Sequence, residues 1–140
     1  MKNKTAKKQK PVVLNGLLYF SGDDGSEDYE SLCLLPRPYT HSAGVLVNLL
    51  MTLSGKKASV RYYISDNPIE SEDAVSEAYF STLTGAVDAL YLVNYSDYTG
   101  YLWTDENLKV GGHDLMAELK NYAGKYLLLV AEIEKDLVAE

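Results

Sequence analysis

The sequence predicts an α+β fold: a single mixed or antiparallel sheet of five to six strands with three helices. Two patterns support this. The stretch Lys57 to Ser65 alternates strictly, with Ala58, Val60, Tyr62 and Ile64 on one face and Ser59, Arg61 and Tyr63 on the other, as a half-buried strand does. Elsewhere apolar residues recur at helical spacing, and Gly, Pro, Asn and Asp separate the segments. At 140 residues the chain has the length of one domain. Residues 1–10 read as a disordered basic tail and 11–140 as the α+β domain.

Taken in order, Met1 to Lys10 has no apolar periodicity and carries Lys2, Lys4, Lys7, Lys8 and Lys10. Val12 to Phe20 reads as a strand, broken by the loop Ser21 to Asp28. Tyr29 to Leu35 is expected to return as a hairpin, stopped by Pro36 and Pro38. A helix is expected from Thr40 or Ser42 to about Leu53, ended by Gly55. Its main face is Val45, Leu46, Leu49, Leu50 and Leu53. Val47 and Met51 lie on another face, which marks them as a candidate oligomer seam.

After the strand Lys57 to Ser65, Ser71 is placed to cap a second helix closed by Gly85, with Val75, Ala78, Tyr79 and Leu83 inward. Asp88 to Tyr95 reads as a strand apolar on both faces, suited to a sheet interior. Tyr98 to Trp103 pairs back across a turn near Ser96-Asp97. Past Gly111-Gly112, His113 or Asp114 caps a third helix ended by Gly124, and Tyr126 to Glu134 is the last strand.

Charge bounds the function classes. The net charge is −7, and the five tail lysines conceal a more acidic body: of 13 basic residues 8 remain against 20 acids, a net −12. Such a body repels phosphate backbones and attracts basic partners. Direct nucleic-acid binding by the folded body is therefore not expected. No apolar run reaches the roughly 18–20 residues of a membrane-spanning helix, and no secretion signal is evident. Cys33 is the sole cysteine, which excludes an intrachain disulfide and fits a reducing, cytoplasmic setting.

Catalytic parts are sparse. Cys33 with His41 or His113 would be the only thiol–imidazole pair, but Cys33 lies between Leu32 and Leu34 and reads as a small buried hydrophobe. Zinc-type spacing is absent, and the acids Asp23 to Asp28 lack the spacing of a twelve-residue calcium loop. Neither a metal nor a cofactor is expected. Gly111-Gly112-His113-Asp114 superficially resembles a phosphate cradle, yet Asp114 puts a carboxylate where the phosphate would sit. A hydrolase or transferase built on His113 and a nearby carboxylate is one alternative, and a self-assembling structural protein another.

What stands out is tyrosine, 12 of 140 residues, concentrated with the one tryptophan in Tyr91, Tyr95, Tyr98, Tyr101 and Trp103. Asp97, Asp105 and Glu106 run through the same stretch. Rings and carboxylates together suit a cationic partner. Tyr95, Asp97, Tyr98, Tyr101, Trp103, Asp105 and Glu106 are accordingly the candidate partner-binding residues. The segment from Tyr95 to Leu115 also resembles small uncharacterised bacteriophage and prophage proteins. That resemblance implies only a context, in which such accessory proteins bind host machinery, including DNA-targeting defence complexes. The function expected is a non-catalytic acidic binding protein, such as an inhibitor occupying a basic, nucleic-acid-type site on a host protein.

Overall fold

The computed structural model describes residues 10–20, 31–39, 44–74 and 79–136. The described strands are β1 (Val12–Phe20), β2 (Leu32–Pro36), β3 (Gly44–Val45), β4 (Lys56–Ser65), β5 (Tyr79–Ser96), β6 (Tyr101–Val110), β7 (His113–Asp114) and β8 (Tyr126–Asp136). They lie in the order β3-β2-β1-β8-β4-β5-β6-β7, and every neighbouring pair is antiparallel. Two short helices, α1 (Leu46–Leu49) and α2 (Leu115–Lys120), accompany them. The expected five to six strands with three helices is therefore corrected, among the described residues, to an eight-stranded antiparallel sheet with two short helices.

Strand alternation builds the core. Leu18, Leu32, Leu34, Ala58, Val60, Tyr62, Ile64, Leu127, Leu129 and Ala131 point to one face of the sheet and are buried. Leu46, Val47, Leu50 and Leu53 cover them around α1, as do Leu115, Met116 and Leu119 of α2, all in one apolar cluster. The helix expected to reach Leu53 is only α1 followed by a 3-10 turn at Met51–Leu53. Its all-round hydrophobicity reflects burial within the chain. Val47 is wholly buried and Met51 packs against the same cluster, so the seam expected there is core. The third helix is present, with Asp114 as its cap: the carboxylate accepts a hydrogen bond from the Ala117 amide at 3.0 Å.

The largest departure from the sequence reading is β5. Its first half, Tyr79 to Ala86, pairs with β4, and its second half, Val87 to Ser96, pairs with β6. The second helix expected from Ser71 is replaced by a 3-10 turn at Glu72–Ala74 and by this strand, while Val75 to Ala78 lie outside the described residues. Tyr79 and Leu83 do recur at helical spacing, but Tyr-Phe-Ser-Thr-Leu-Thr is rich in aromatic and β-branched residues, and pairing with β4 decides the outcome. Gly85 is the bend within the strand. Its φ is 145°, and a Cβ there would lie 2.5 Å from the Gly111 Cα, while one on Gly111 would lie 2.4 Å from the Thr84 carbonyl oxygen.

Two glycine backbones thus touch where the sheet changes partners, and neither position has room for a methyl group. Gly85→Ala is expected to destabilise the protein by about 2–4 kcal/mol, from backbone strain plus the clash, measured by urea unfolding. Stability within about 0.5 kcal/mol of wild type would show that the crossing is not tight.

Candidate functional site

Beyond the glycine crossing, β5 and β6 run on as a two-stranded ribbon that outlasts its core. The register pairs Val87 with Val110, Ala89 with Leu108 and Tyr91 with Glu106 on the inward face, and the first two pairs are buried. The next inward residues are already outside: Val93 is 47% exposed and Tyr95 59%. On the opposite face Leu90 is exposed, and Leu92, at 49%, is as open as Val93 beside it. Adjacent strand residues point to opposite faces, so at Leu92 and Val93 no described residue covers either face of the ribbon.

The tip is a turn over residues 97–100 in which the Gly100 amide donates to the Ser96 carbonyl at 2.7 Å and the Thr99 amide to Ser96 Oγ at 3.3 Å. Gly100, at φ 72°, takes the left-handed position. Tyr98 stands on this turn 97% exposed, beside exposed Asp97. Asp105 is also exposed and accepts a hydrogen bond from Asn94 Nδ2 at 3.0 Å, which fixes its carboxylate on the Leu92 face.

Of the seven residues expected to meet a partner, Tyr95, Asp97, Tyr98 and Asp105 are exposed, Tyr95 on the Val93 face of the ribbon, Asp105 on the Leu92 face and Asp97 and Tyr98 at the tip. Glu106 is not. Its side chain is 2% exposed, because it continues the inward row of Leu108 and Val110, and it lies 3.7 Å from Lys120 Nζ on α2. Tyr101 and Trp103 pair through their backbones with Ser96 and Asn94, and their side chains are outside the described set. Sequence reading missed Leu90, Leu92 and Val93, whose apolar run is written the same way for an interior strand and for an uncovered ribbon.

Candidates for chemistry do not converge. His113 is exposed in β7, Asp114 is occupied as a helix cap, and Cys33 is buried in β2. His41 and the acidic loop Asp23 to Asp28 lie outside the described residues. A cleft of about 370 Å³ is lined by Val13, Leu14, Asn15, Leu34, Pro36, Arg37, Gly44 and Leu49. None of these residues is an acid, a histidine or a thiol. Among the described residues, no three His, Cys, Asp or Glu side chains gather closely enough to hold a metal. No helix among them is long and apolar enough to cross a membrane.

The outer sheet face is strapped by Asp66 to Ala74. The Ile69 carbonyl accepts hydrogen bonds from Asn15 Nδ2 on β1 at 2.8 Å and from the Arg37 guanidinium at 3.0 Å. Farther along, Glu72 is gripped from β4: Arg61 donates to both carboxylate oxygens, at 2.5 and 3.1 Å, and Tyr63 Oη donates at 2.7 Å. Arg61 also reaches Glu132 at 3.1 Å, and Lys125 pairs with Asp66. The strap runs from β4 to β1 and back, over β8 between them, where Leu128 and Val130 are buried on this face.

The Arg61 hydrogen bonds, helped by Tyr63, hold the Glu72 carboxyl below its ordinary value against desolvation. Burial, followed by the hydrogen bond to Glu72, raises the Tyr63 phenol. The hydrogen bond to Glu72 likewise raises Arg61.

No family model matches the chain, and neither the curated proteins nor the solved structures provide a match.

The Glu72 grip has a pH signature. Because the folded carboxyl lies below its unfolded value, its stabilisation is complete above the ordinary glutamate value near 4.5 and is lost as pH falls through the lowered one. Glu72→Gln is expected to lower Tm by about 3–6 °C at neutral pH, with the gap to wild type closing in acid. A gap unchanged from pH 7 to pH 3 would contradict this role for Glu72.

Proposed function

We propose that this protein is a non-catalytic acidic binding module that presents the β5–β6 arm to a basic surface of a partner protein. The observation that carries the reading is a ribbon whose apolar and aromatic side chains, Leu90, Leu92, Val93, Tyr95 and Tyr98, lie beyond the reach of the core with Asp97 and Asp105 among them. Uncovered apolar surface of this kind has a cost in water that contact with a partner relieves. Tyrosine supplies a large contact area with few rotors to freeze, and carboxylates around it steer a cationic surface into place.

The partner fitting that chemistry is a host protein or nucleoprotein complex with a basic site of the kind that holds nucleic acid. The arm occupies that site as an inhibitor, a role in keeping with the phage-type resemblance of the segment from Tyr95 to Leu115. A sole cysteine, Cys33, buried and in no disulfide, suits work in the cytoplasm. No cofactor enters the mechanism. Affinity comes from burying Tyr95 and Tyr98, and the rate of encounter from the acidic body.

Panning a random peptide display library against the immobilised full chain tests this. Enriched peptides are expected to combine Lys or Arg with apolar residues. Their affinity is expected to fall at least about tenfold between about 0.1 and 1 M salt, as the screening length drops from about 10 to 3 Å. Tyr95→Ala with Tyr98→Ala should cost about 2–4 kcal/mol of binding. An affinity unmoved by both salt and the double substitution would refute the proposal.

A further inference from the structure

Toward its tip the backbone of the arm also has an edge on which no described strand lies. Along β5, the Val87 carbonyl accepts from the Gly55 amide at 2.9 Å and the Ala89 amide donates to Ser54 Oγ at 3.2 Å, so odd-numbered residues direct their N–H and C=O groups toward the β4 side. Even-numbered residues face β6: the Ala86 carbonyl accepts from Gly111 and the Ser96 carbonyl from Gly100. The β5–β6 register runs without a shift from Val87 to Ser96, so this parity holds to the tip. The β4 pairing ends at Ala86, and no described strand continues it. The N–H and C=O groups of Val93 and Tyr95 therefore face outward along an edge that carries no other described strand.

Natural edge strands are ordinarily blunted by charge, proline or a bulge. This one is not. Ala89 to Ser96 reads Ala-Leu-Tyr-Leu-Val-Asn-Tyr-Ser, with no charged residue, no proline and no glycine. We propose that the occupant of this edge is the same strand of a second copy, paired antiparallel across a two-fold axis at Asn94. In that register Val93 lies opposite the second copy's Tyr95, and the pair exchanges both backbone hydrogen bonds. Symmetry repeats the pair, giving four bonds and two Val–Tyr side-chain contacts of the kind that stabilise sheets.

Charge selects a second copy over a basic strand here. The uncharged run gives a cationic strand nothing to pair with, and the two-fold register sets Asp97 opposite Tyr91, so no carboxylate faces another. The two Tyr98 rings, on turns beyond the paired strands, then point in opposite directions and stay available for the binding role proposed above.

The test is the mass of the full chain in solution with two substitutions. Asn94→Cys places two thiols at the axis, in a non-hydrogen-bonded pair about 4.5 Å apart at Cα, and is expected to form an intermolecular disulfide on mild oxidation even with Cys33→Ser in the background. Val93→Pro removes an N–H from the open edge and leaves β6 its partners, and is expected to weaken dimerisation by about tenfold or more while circular dichroism stays native. Sedimentation of wild type as a dimer, with both variants behaving so, supports the proposal. A wild-type monomer at every concentration overturns it, as does a dimer that survives Val93→Pro with no cross-link at position 94.

Discussion

The structure depends on a steric constraint, the contact between the backbones of Gly85 and Gly111. Because neither residue has a side chain, β5 approaches the turn after β6 closely where it leaves β4 and takes up β6 within one continuous strand. Everything on the β4 side of that point shares the main sheet, and everything beyond it is carried on the ribbon. The arm is therefore a direct continuation of a core strand, with Tyr79 to Ala86 anchored in the sheet and Leu92 to Ser96 projecting from it.

Burial falls off along the arm in a way that explains its surface. Inward residues are buried as far as Ala89 and Leu108, then Tyr91 meets Ser31 by a hydroxyl contact at 3.2 Å, and by Val93 the core has ended. Two strands by themselves are marginal in water, and this ribbon, over which the described residues lay no second layer at Leu92 and Val93, continues from the sheet that anchors it. The exposed apolar groups are thus held in place by the fold without contributing to its core. The acids have divided roles: Asp97 and Asp105 face solvent, while Glu106 lies inward beside Lys120.

How much of this was legible in the sequence follows from which signals are local. The alternation from Lys57 to Ser65 was read residue for residue, since period two with a wet face has one interpretation. Val12 to Phe20, the terminal strand from Tyr126, the turn after Ser96 and the Asp114 cap were also legible, each announced by its own residues. Helical spacing at Val75, Ala78, Tyr79 and Leu83 misled, because a few coincidences of spacing cannot outweigh pairing with a strand some 20 residues away in sequence. Val47 misled differently: an apolar residue off the main face signals either a second buried side or an interface, and only the packing distinguishes them. The open edge at Val93 and Tyr95 was not legible at all, since it depends on where β4 ends.

The central claim is that β5 from Leu92 to Ser96 is ordered by β6 on one edge and, among the described residues, meets no strand on the other. Amide hydrogen exchange followed residue by residue at high dilution tests it most directly. The account predicts slow exchange at Leu92 and Asn94, whose N–H groups face β6, and fast exchange at Val93 and Tyr95, slowing as concentration rises. Equal protection of all four amides at every concentration would contradict it.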